Sequence, residues 1–364
     1  MPFRDDERAV TVQIGAVLLF GILIVSMSLY QATAVPAENR EVEFDHSQRV
    51  QEDMLEVRNA VLRSASSGTT QPASVSLGTR YPNRLLFVNP PPATGRISTT
   101  GAATDGVVVE NARALDPETR DYWTGAPRSY ETTGLGYRPG YNEYDGAPVT
   151  AYEHSVLYDR FGEGTTIART DQRLVEGRRI SLVTLDGALS DARAGATEID
   201  FRPASPAART VAVTDDGDPV TITVATRLPE DAWRELLDPE LETEGGYVRG
   251  IDYAAGSPYN RLTLTLVPNE TYRLRLARVG VGRGVAPAEP RYLALVDRQD
   301  GPVAPGSTHR VTVEARDRFN NPVSGVRVTA DATAGDYANA SAVTGADGRA
   351  TFEYTAPRAG ARRR

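Results

Sequence analysis

The chain of 364 residues contains no cysteine. That excludes disulfide staples, thiolate zinc sites and thiol nucleophiles, and leaves the core to hold by packing alone. Lysine is absent as well, so all 40 basic residues are arginine, set against 48 acidic ones for a net charge of −8. Histidine is scarce: His46, His154 and His309 stand far apart, none in an HExxH-type spacing, so zinc chemistry is not expected. There is no GxSxG elbow and no P-loop. No basic stripe with interleaved aromatics is available to meet a phosphate backbone, which argues against nucleic acid as a partner. No cofactor and no catalytic residue is expected.

What is present begins with residues 9–30, AVTVQIGAVLLFGILIVSMSLY, with no charge between Arg8 and Glu38. Twenty-two helical residues rise about 33 Å, enough to cross a hydrocarbon core of about 30 Å. Three readings of this segment stand side by side. A retained signal anchor would leave residues 1–8 in the cytoplasm and the bulk of the chain outside the cell, as a single-pass protein with the lipid bilayer as its first partner. A secretory signal would be cut after Ala32-Thr33-Ala34, although its apolar region is usually only about 7–15 residues. The third comes from Arg8-Ala9-Val10-Thr11, which with Ile14-Gly15 and the long apolar run resembles the class III signal of archaeal type IV pilins. That resemblance implies processing between Ala9 and Val10 and a filament subunit that keeps its helix. The chain departs from the pattern at Val12, where many haloarchaeal pilins carry proline, and at Gln13, near a glutamate of bacterial pilins. The arginine-only basic set with its acidic excess also resembles proteins of halophilic archaea.

Behind the apolar run, residues 38–66 are charged and helix-favouring. Val50, Met54, Val57 and Val61 recur at spacings of 4, 3 and 4 and line one face. That face either packs on the chain's own β domain or self-associates through residues 50–61, and two heptads are short for a coiled coil. Residues 73–288 then supply short runs rich in Val and Thr that end at Gly, Pro, Asn or Asp. These predict strands at Ser74–Leu77, Arg84–Val88, Gly106–Glu110, Ser155–Tyr158, Ile180–Leu185, Thr210–Thr214 and Val220–Thr226. Arg261–Val267 and Thr271–Val279 alternate in period two around Pro268-Asn269-Glu270 and read as a hairpin. Pro229-Glu230-Asp231 opens one short helix. So many strands with so little helix imply a sandwich or open barrel.

Smaller features divide between structure and function. Tyr122, Tyr130, Tyr137, Tyr141, Tyr144, Tyr152 and Tyr158, with Trp123, could stack on surface glycans or proteins, or could cover a loop-rich core. Asp215-Asp216-Gly217-Asp218 lacks the ligand ladder of a calcium loop and reads as a turn. Gly280-Val-Gly-Arg-Gly is followed by Pro287 and Pro290 and reads as a linker. Asn269-Glu-Thr271 and Asn339-Ala-Ser341 are N-glycosylation sequons, the first at the expected hairpin tip.

Residues 290–357 carry strands at Arg310–Arg316 and Gly325–Ala330 and a hairpin around Asp347-Gly348. The run Asp317, Asn320 or Asn321, Pro322, Val323, Gly325, Val326, Val328, followed by Thr344, Gly348 and Ala350, resembles the bacterial immunoglobulin-like repeats of invasin and intimin adhesins. That resemblance implies an immunoglobulin-like β-sandwich. After Ala356-Pro357 the sequence offers no further strand, so the domain is either truncated or completed by another chain. The expected architecture is mainly β: a cytoplasmic segment (1–8), a transmembrane helix and exit (9–37), an amphipathic stalk helix (38–66), a β-rich extracellular domain (73–288), the immunoglobulin-like domain (290–357) and a basic tail (358–364). The expected function is noncatalytic, a structural or adhesive surface protein. The alternatives are a pilin-like filament subunit and an extracellular hydrolase built on paired carboxylates that no spacing here localises.

Overall fold

One helix, Glu7–Ser67, runs through the apolar segment and the charged stretch behind it. The computed structural model describes residues 7–162, 164–297 and 303–358, with backbone only for residues 7–11. Sixty-one residues make this helix about 90 Å long. The transmembrane segment and the stalk, expected as two units, share one backbone, and Pro36 is accommodated inside it. Proline lacks the N–H that would reach the carbonyl of residue 32, a loss a helix sustains where its neighbours hold it in place. Gly68, at φ 70°, ends the helix and donates its N–H to the Ser64 carbonyl at 3.2 Å. Glycine takes this left-handed cap without the strain a Cβ would add.

The body is mainly β. Three sheets form the head. The largest is built on Gln71–Ser76, Ala196–Ser205, Tyr272–Val281 and Arg179–Asp186, the last two paired in parallel. A second contains Thr94–Thr99, Leu135–Gly140, Val149–Glu153 and Val156–Arg160, and a third contains Val248–Ala254, Asn260–Leu266, Thr221–Thr226, Ala103–Glu110 and Arg128–Thr132. The second half of the long helix lies between the first two sheets. Val50, Met54, Val57, Ala60, Val61 and Ala65 share one core with Val75, Ile97, Leu135, Phe201 and Val279. A second core gathers Val107, Ile222, Leu262, Leu264, Leu274, Leu276 and both tryptophans.

The face of residues 50–61 is therefore filled by the chain's own head, which is the first of the two arrangements its sequence allows. The predicted hairpin at Pro268–Glu270 is corrected. Asn260–Leu266 pairs with Thr221–Thr226 and Val248–Ala254, whereas Tyr272–Val281 belongs to the other sheet. Leu262, Leu264, Leu266, Leu274 and Leu276 all enter one core from its two walls, so the turn carries the chain across the sandwich. Period-two alternation marks which face of a strand is buried and leaves its partner open. Arg84–Val88 forms no strand at all.

The C-terminal domain is an immunoglobulin-like β-sandwich. One sheet orders Pro290–Asp297, Thr308–Asp317, Arg349–Thr355 and Asp336–Tyr337; the other pairs Arg327–Thr329 with Ser341–Val343. Asp347-Gly348 thus turns between sheets and does not close a hairpin. Arg349–Thr355 pairs along its length with Thr308–Asp317, and on its other side Asp336–Tyr337 covers only Tyr354 and Thr355.

Candidate functional site: a collar around the helix and a docked domain

The helix changes surroundings at Val35. From Val12 to Thr33 its large apolar side chains, among them Val17, Leu19, Phe20, Ile22 and Leu29, are exposed, and an 18-residue window long and apolar enough to span a membrane lies there with none of it buried. From Val35 onward a stripe at three- and four-residue spacing is covered, first by polar residues Asn39, Glu43, His46 and Ser47, then by the apolar ones from Val50. The polar part of the stripe is where two loops close around the helix.

Glu43 organises the first contact. Its buried carboxylate accepts the backbone N–H groups of Asn142, Glu143 and Tyr144 at 2.7, 2.8 and 2.7 Å, together with the Tyr81 hydroxyl. A carboxylate offers about four lone pairs, so four donors satisfy it without a counter-cation. Burial pushes the Tyr81 phenol well above its usual range, so it stays a donor. Around this knot, His46 meets the Tyr141 hydroxyl at 2.7 Å, and the Phe44 ring meets the Tyr144 edge at 5.6 Å. Burial, with Arg49 nearby, holds the His46 imidazole below its ordinary pKa and so favours the neutral ring.

The second loop runs from Arg80 to Pro92 and is closed at its base by the Thr79–Ala93 bridge. It is fastened to the helix at three heights. Gln31 holds the Val88 backbone from both sides, N–H and carbonyl each at 2.9 Å. The Phe87 ring packs on Tyr30 with centroids 4.6 Å apart. Arg84 pairs with Glu38 at 2.6 Å and reaches the Asn39 side chain.

At the opposite end of the head, the turn Asp317–Pro322 docks the immunoglobulin-like domain. Asp317 accepts the N–H groups of Phe319 and Asn321 at 2.9 and 3.0 Å, which shapes the turn, and Asn320 sits at φ 65°. Phe319 is thereby driven into the head's core beside Tyr130, and Asn321 uses every polar atom of its side chain across the junction. It accepts from the backbone of Ala208 and Arg209 and donates to Ser205 Oγ and the Leu276 carbonyl. Glu314 binds Arg209 bidentately at 3.0 and 2.7 Å and also meets Arg316 and Arg349. Its burial alone would raise the carboxyl pKa, but the hydrogen bonds from Arg209 and Arg316 outweigh that and bring it down to about 2. Tyr122 stacks on Tyr292 at 4.5 Å across the same junction. The signature residues have structural work here: Thr344 ties Val323 to Val326, and a Cβ on Gly348, at φ 74°, would stand 2.6 Å from Pro322.

The remaining sequence candidates are scattered. Arg8, Ala9, Val10 and Thr11 lie in the first turns of the helix, and their side chains fall outside the described residues, as does the tail beyond Arg358. Asn269 and Asn339 are both exposed, one at the head crossover and one on the immunoglobulin-like domain. Tyr130, Tyr137, Tyr152 and Tyr158 are buried, Tyr122 lies at the domain junction, and Tyr141 and Tyr144 belong to the collar. They are packing elements, not an open aromatic shelf. Asp216 pairs with Arg113 at 2.7 Å, and Asp215 accepts the Asn269 N–H. Among the described residues, the three histidines do not meet: His154 contacts the Ala225 carbonyl and His309 the Ser307 hydroxyl. Neither Glu43 nor Asn321 carries a pattern that marks its role, since each becomes a hub only when distant segments arrive. For Leu85-Leu86-Phe87-Val88 a signal was present: prolines at 82 and 90–92 bracket the run too closely for a paired strand.

These features define a class: a β-rich body built around a membrane-length helix, with an immunoglobulin-like domain seated at the end of the body away from the apolar half. Residues 293–362 match the family described as Bacterial Ig-like domain (group 1). The chain is also similar to an uncharacterized protein of Archaeoglobus fulgidus, 35% identical over 85 residues, a stretch that is 23% of this chain and 15% of that relative's length. The immunoglobulin-like match suggests a surface or adhesion-type role for the C-terminal domain, and the apolar helix is consistent with membrane anchoring.

Proposed function

We propose that this chain is a noncatalytic, membrane-anchored cell-surface protein that holds an immunoglobulin-like domain away from the bilayer in a structural or adhesive role. The observation that carries this reading is the continuity of one helix: exposed and apolar over Val12–Thr33, then a core element of the head from Val35 to Ala65. An anchor that is also a core element passes load on the head directly to the membrane, which suits a display scaffold. The docked turn at Asp317–Pro322 extends that stiffness to the C-terminal domain. Protease added to intact cells should strip the body and leave a short membrane fragment, and the body should resist alkaline extraction. Recovery of the body in the culture medium as a product starting at Val35 would defeat this reading.

A second reading, a pilin-like filament subunit, is favoured by the same continuity together with the Arg8-Ala9-Val10-Thr11 junction. The mature N-terminus separates the two: Val10 supports processing between Ala9 and Val10, and an intact Met1 supports the anchor. Under either reading the exposed Asn269 and Asn339 are available for glycosylation, which intact-mass measurement of the native protein would detect.

A further inference from the structure

We propose that the loop Arg80–Pro92 is a second membrane-contacting element, seating Leu85, Leu86, Phe87 and Val88 in the interfacial layer of the bilayer beside the exit of the helix. This rests on the anchor reading above and adds to it a contact that the helix alone does not make.

Four observations converge on it. Leu85 is fully exposed, and Leu86 and Val88 are 73% and 76% exposed, a contiguous apolar tip in a head whose other large apolar side chains are mostly interior. Scattered apolar residues on a surface need no account, whereas a clustered tip marks an interaction site. The tip is also built. Its base is closed by Thr79 and Ala93, Asn89 accepts from Arg84 Nε at 3.0 Å and donates to the Pro82 carbonyl at 2.7 Å, and prolines at 82 and 90–92 stiffen both arms.

The height of the tip is set by Gln31, which clamps Val88. The uncharged run starts at Ala9, directly behind Arg8, and from there to Gln31 the helix rises about 33 Å against a hydrocarbon core of about 30 Å. A span that opens behind Arg8 places the tip at the outer boundary. The chemistry around it is layered in the matching order. Tyr30 and Phe87 pack together at the level where aromatic side chains favour the membrane–water interface, and Arg84 pairs with Glu38 about two turns further out. Lipid is the occupant that continuity selects, because the tip extends the uncovered apolar surface of the helix itself.

The cysteine-free chain makes the test direct. Full-length protein with Leu86→Cys, Leu23→Cys or Asp347→Cys is labelled with an environment-sensitive fluorophore and reconstituted into dioleoylphosphatidylcholine vesicles. Quenching is then read from phosphatidylcholine spin-labelled near the headgroup for Leu86, from phosphatidylcholine spin-labelled at mid-chain for Leu23, from both lipids for Asp347, and from aqueous iodide for all three. The expected result is several-fold stronger lipid quenching at Leu86 and Leu23 than at Asp347, with iodide protection at the first two. Lipid quenching at Leu23 with full iodide access at Leu86 overturns the loop proposal and leaves the anchor standing. Absence of lipid quenching at Leu23 overturns both. Iodide protection at Leu86 that grows with protein density, without lipid quenching, overturns the loop proposal in favour of a second copy of the chain covering the tip.

Discussion

From Val12 to Thr33 the long helix turns apolar side chains outward on every side, whereas from Val35 to Ala65 it hides one stripe and leaves its other faces charged. The backbone is the same in both halves; the surroundings differ. A helix that is apolar all round suits a lipid environment, while one with a single covered stripe suits a protein core. The difference teaches that one helix carries two kinds of surface, one suited to lipid and one to a protein core, and that the stretch Val35–Ser47 is the transition between them. There the stripe is polar because the partners are loops whose own N–H groups need acceptors, which Glu43 supplies.

That contrast can be broken at either end. The largest effect is expected from Met54→Asp, which places an unpaired charge among Val50, Val57, Val75 and Phe201 and should destabilise the head by at least about 4 kcal/mol; urea denaturation followed by tryptophan fluorescence would register it. Leu19→Asp, on the exposed half, should leave that transition unchanged and instead cost membrane insertion about 2.5–3.5 kcal/mol, seen as loss from the membrane fraction. Equal unfolding penalties for the two variants would erase the distinction between the halves.

Within the transition zone, Glu43→Ala should cost about 3 kcal/mol, because three backbone N–H groups and the Tyr81 hydroxyl lose their acceptor. Glu43→Gln keeps one acceptor oxygen and should cost less. Hydrogen exchange at Asn142–Tyr144 should accelerate in both variants, most in the alanine one.

At the far end of the head, acid should loosen the docked domain. The Glu314 carboxyl, free in the unfolded chain at about 4.5, is brought down to about 2 in the fold. Its contribution is therefore fully present above about 4.5 and is lost as pH falls toward about 2. The displacement corresponds to at most about 3 kcal/mol. Burial raises the neighbouring Asp317 in the opposite direction, so its protonation offsets part of the loss. Glu314→Gln should flatten this acid-side dependence of domain release, followed by limited proteolysis between pH 5 and pH 2. The smallest effect is expected at Arg63, whose pair with Glu56 on the solvent face is exposed on both sides; Arg63→Ala should change stability by less than about 1 kcal/mol.

Much of this was legible beforehand, for identifiable reasons. The uncharged interval from Arg8 to Glu38 is long enough as a helix to cross a bilayer, and the heptad-like face at residues 50–61 has to be covered by something. The run from Asp317 to Val328 carries its own turn chemistry, with Asp, Asn and Pro each placed where a tight turn uses it. Glu43, by contrast, looks like one more charge in a charged helix, and Asn321 like one more turn residue. Their partners come from residues about 100 positions away and cannot be inferred from local spacing. The run Leu85–Val88 reads as part of a strand because four consecutive apolar residues satisfy a strand template whether or not a neighbour is there to pair with them, and in the fold it forms a loop.

By itself the sequence determined the things that depend on local chemistry: where the apolar helix lies, that the body is β-rich, that no disulfide supports it, and that an immunoglobulin-like domain follows. Only the tertiary structure decided which strands pair, that the stalk is a core element, that the last domain is docked, and that an apolar loop stands level with the end of the exposed helix. Periodicity and turn chemistry act over a few residues. Pairing, burial and height along an axis depend on which distant segments meet, and that is a property of the packed chain.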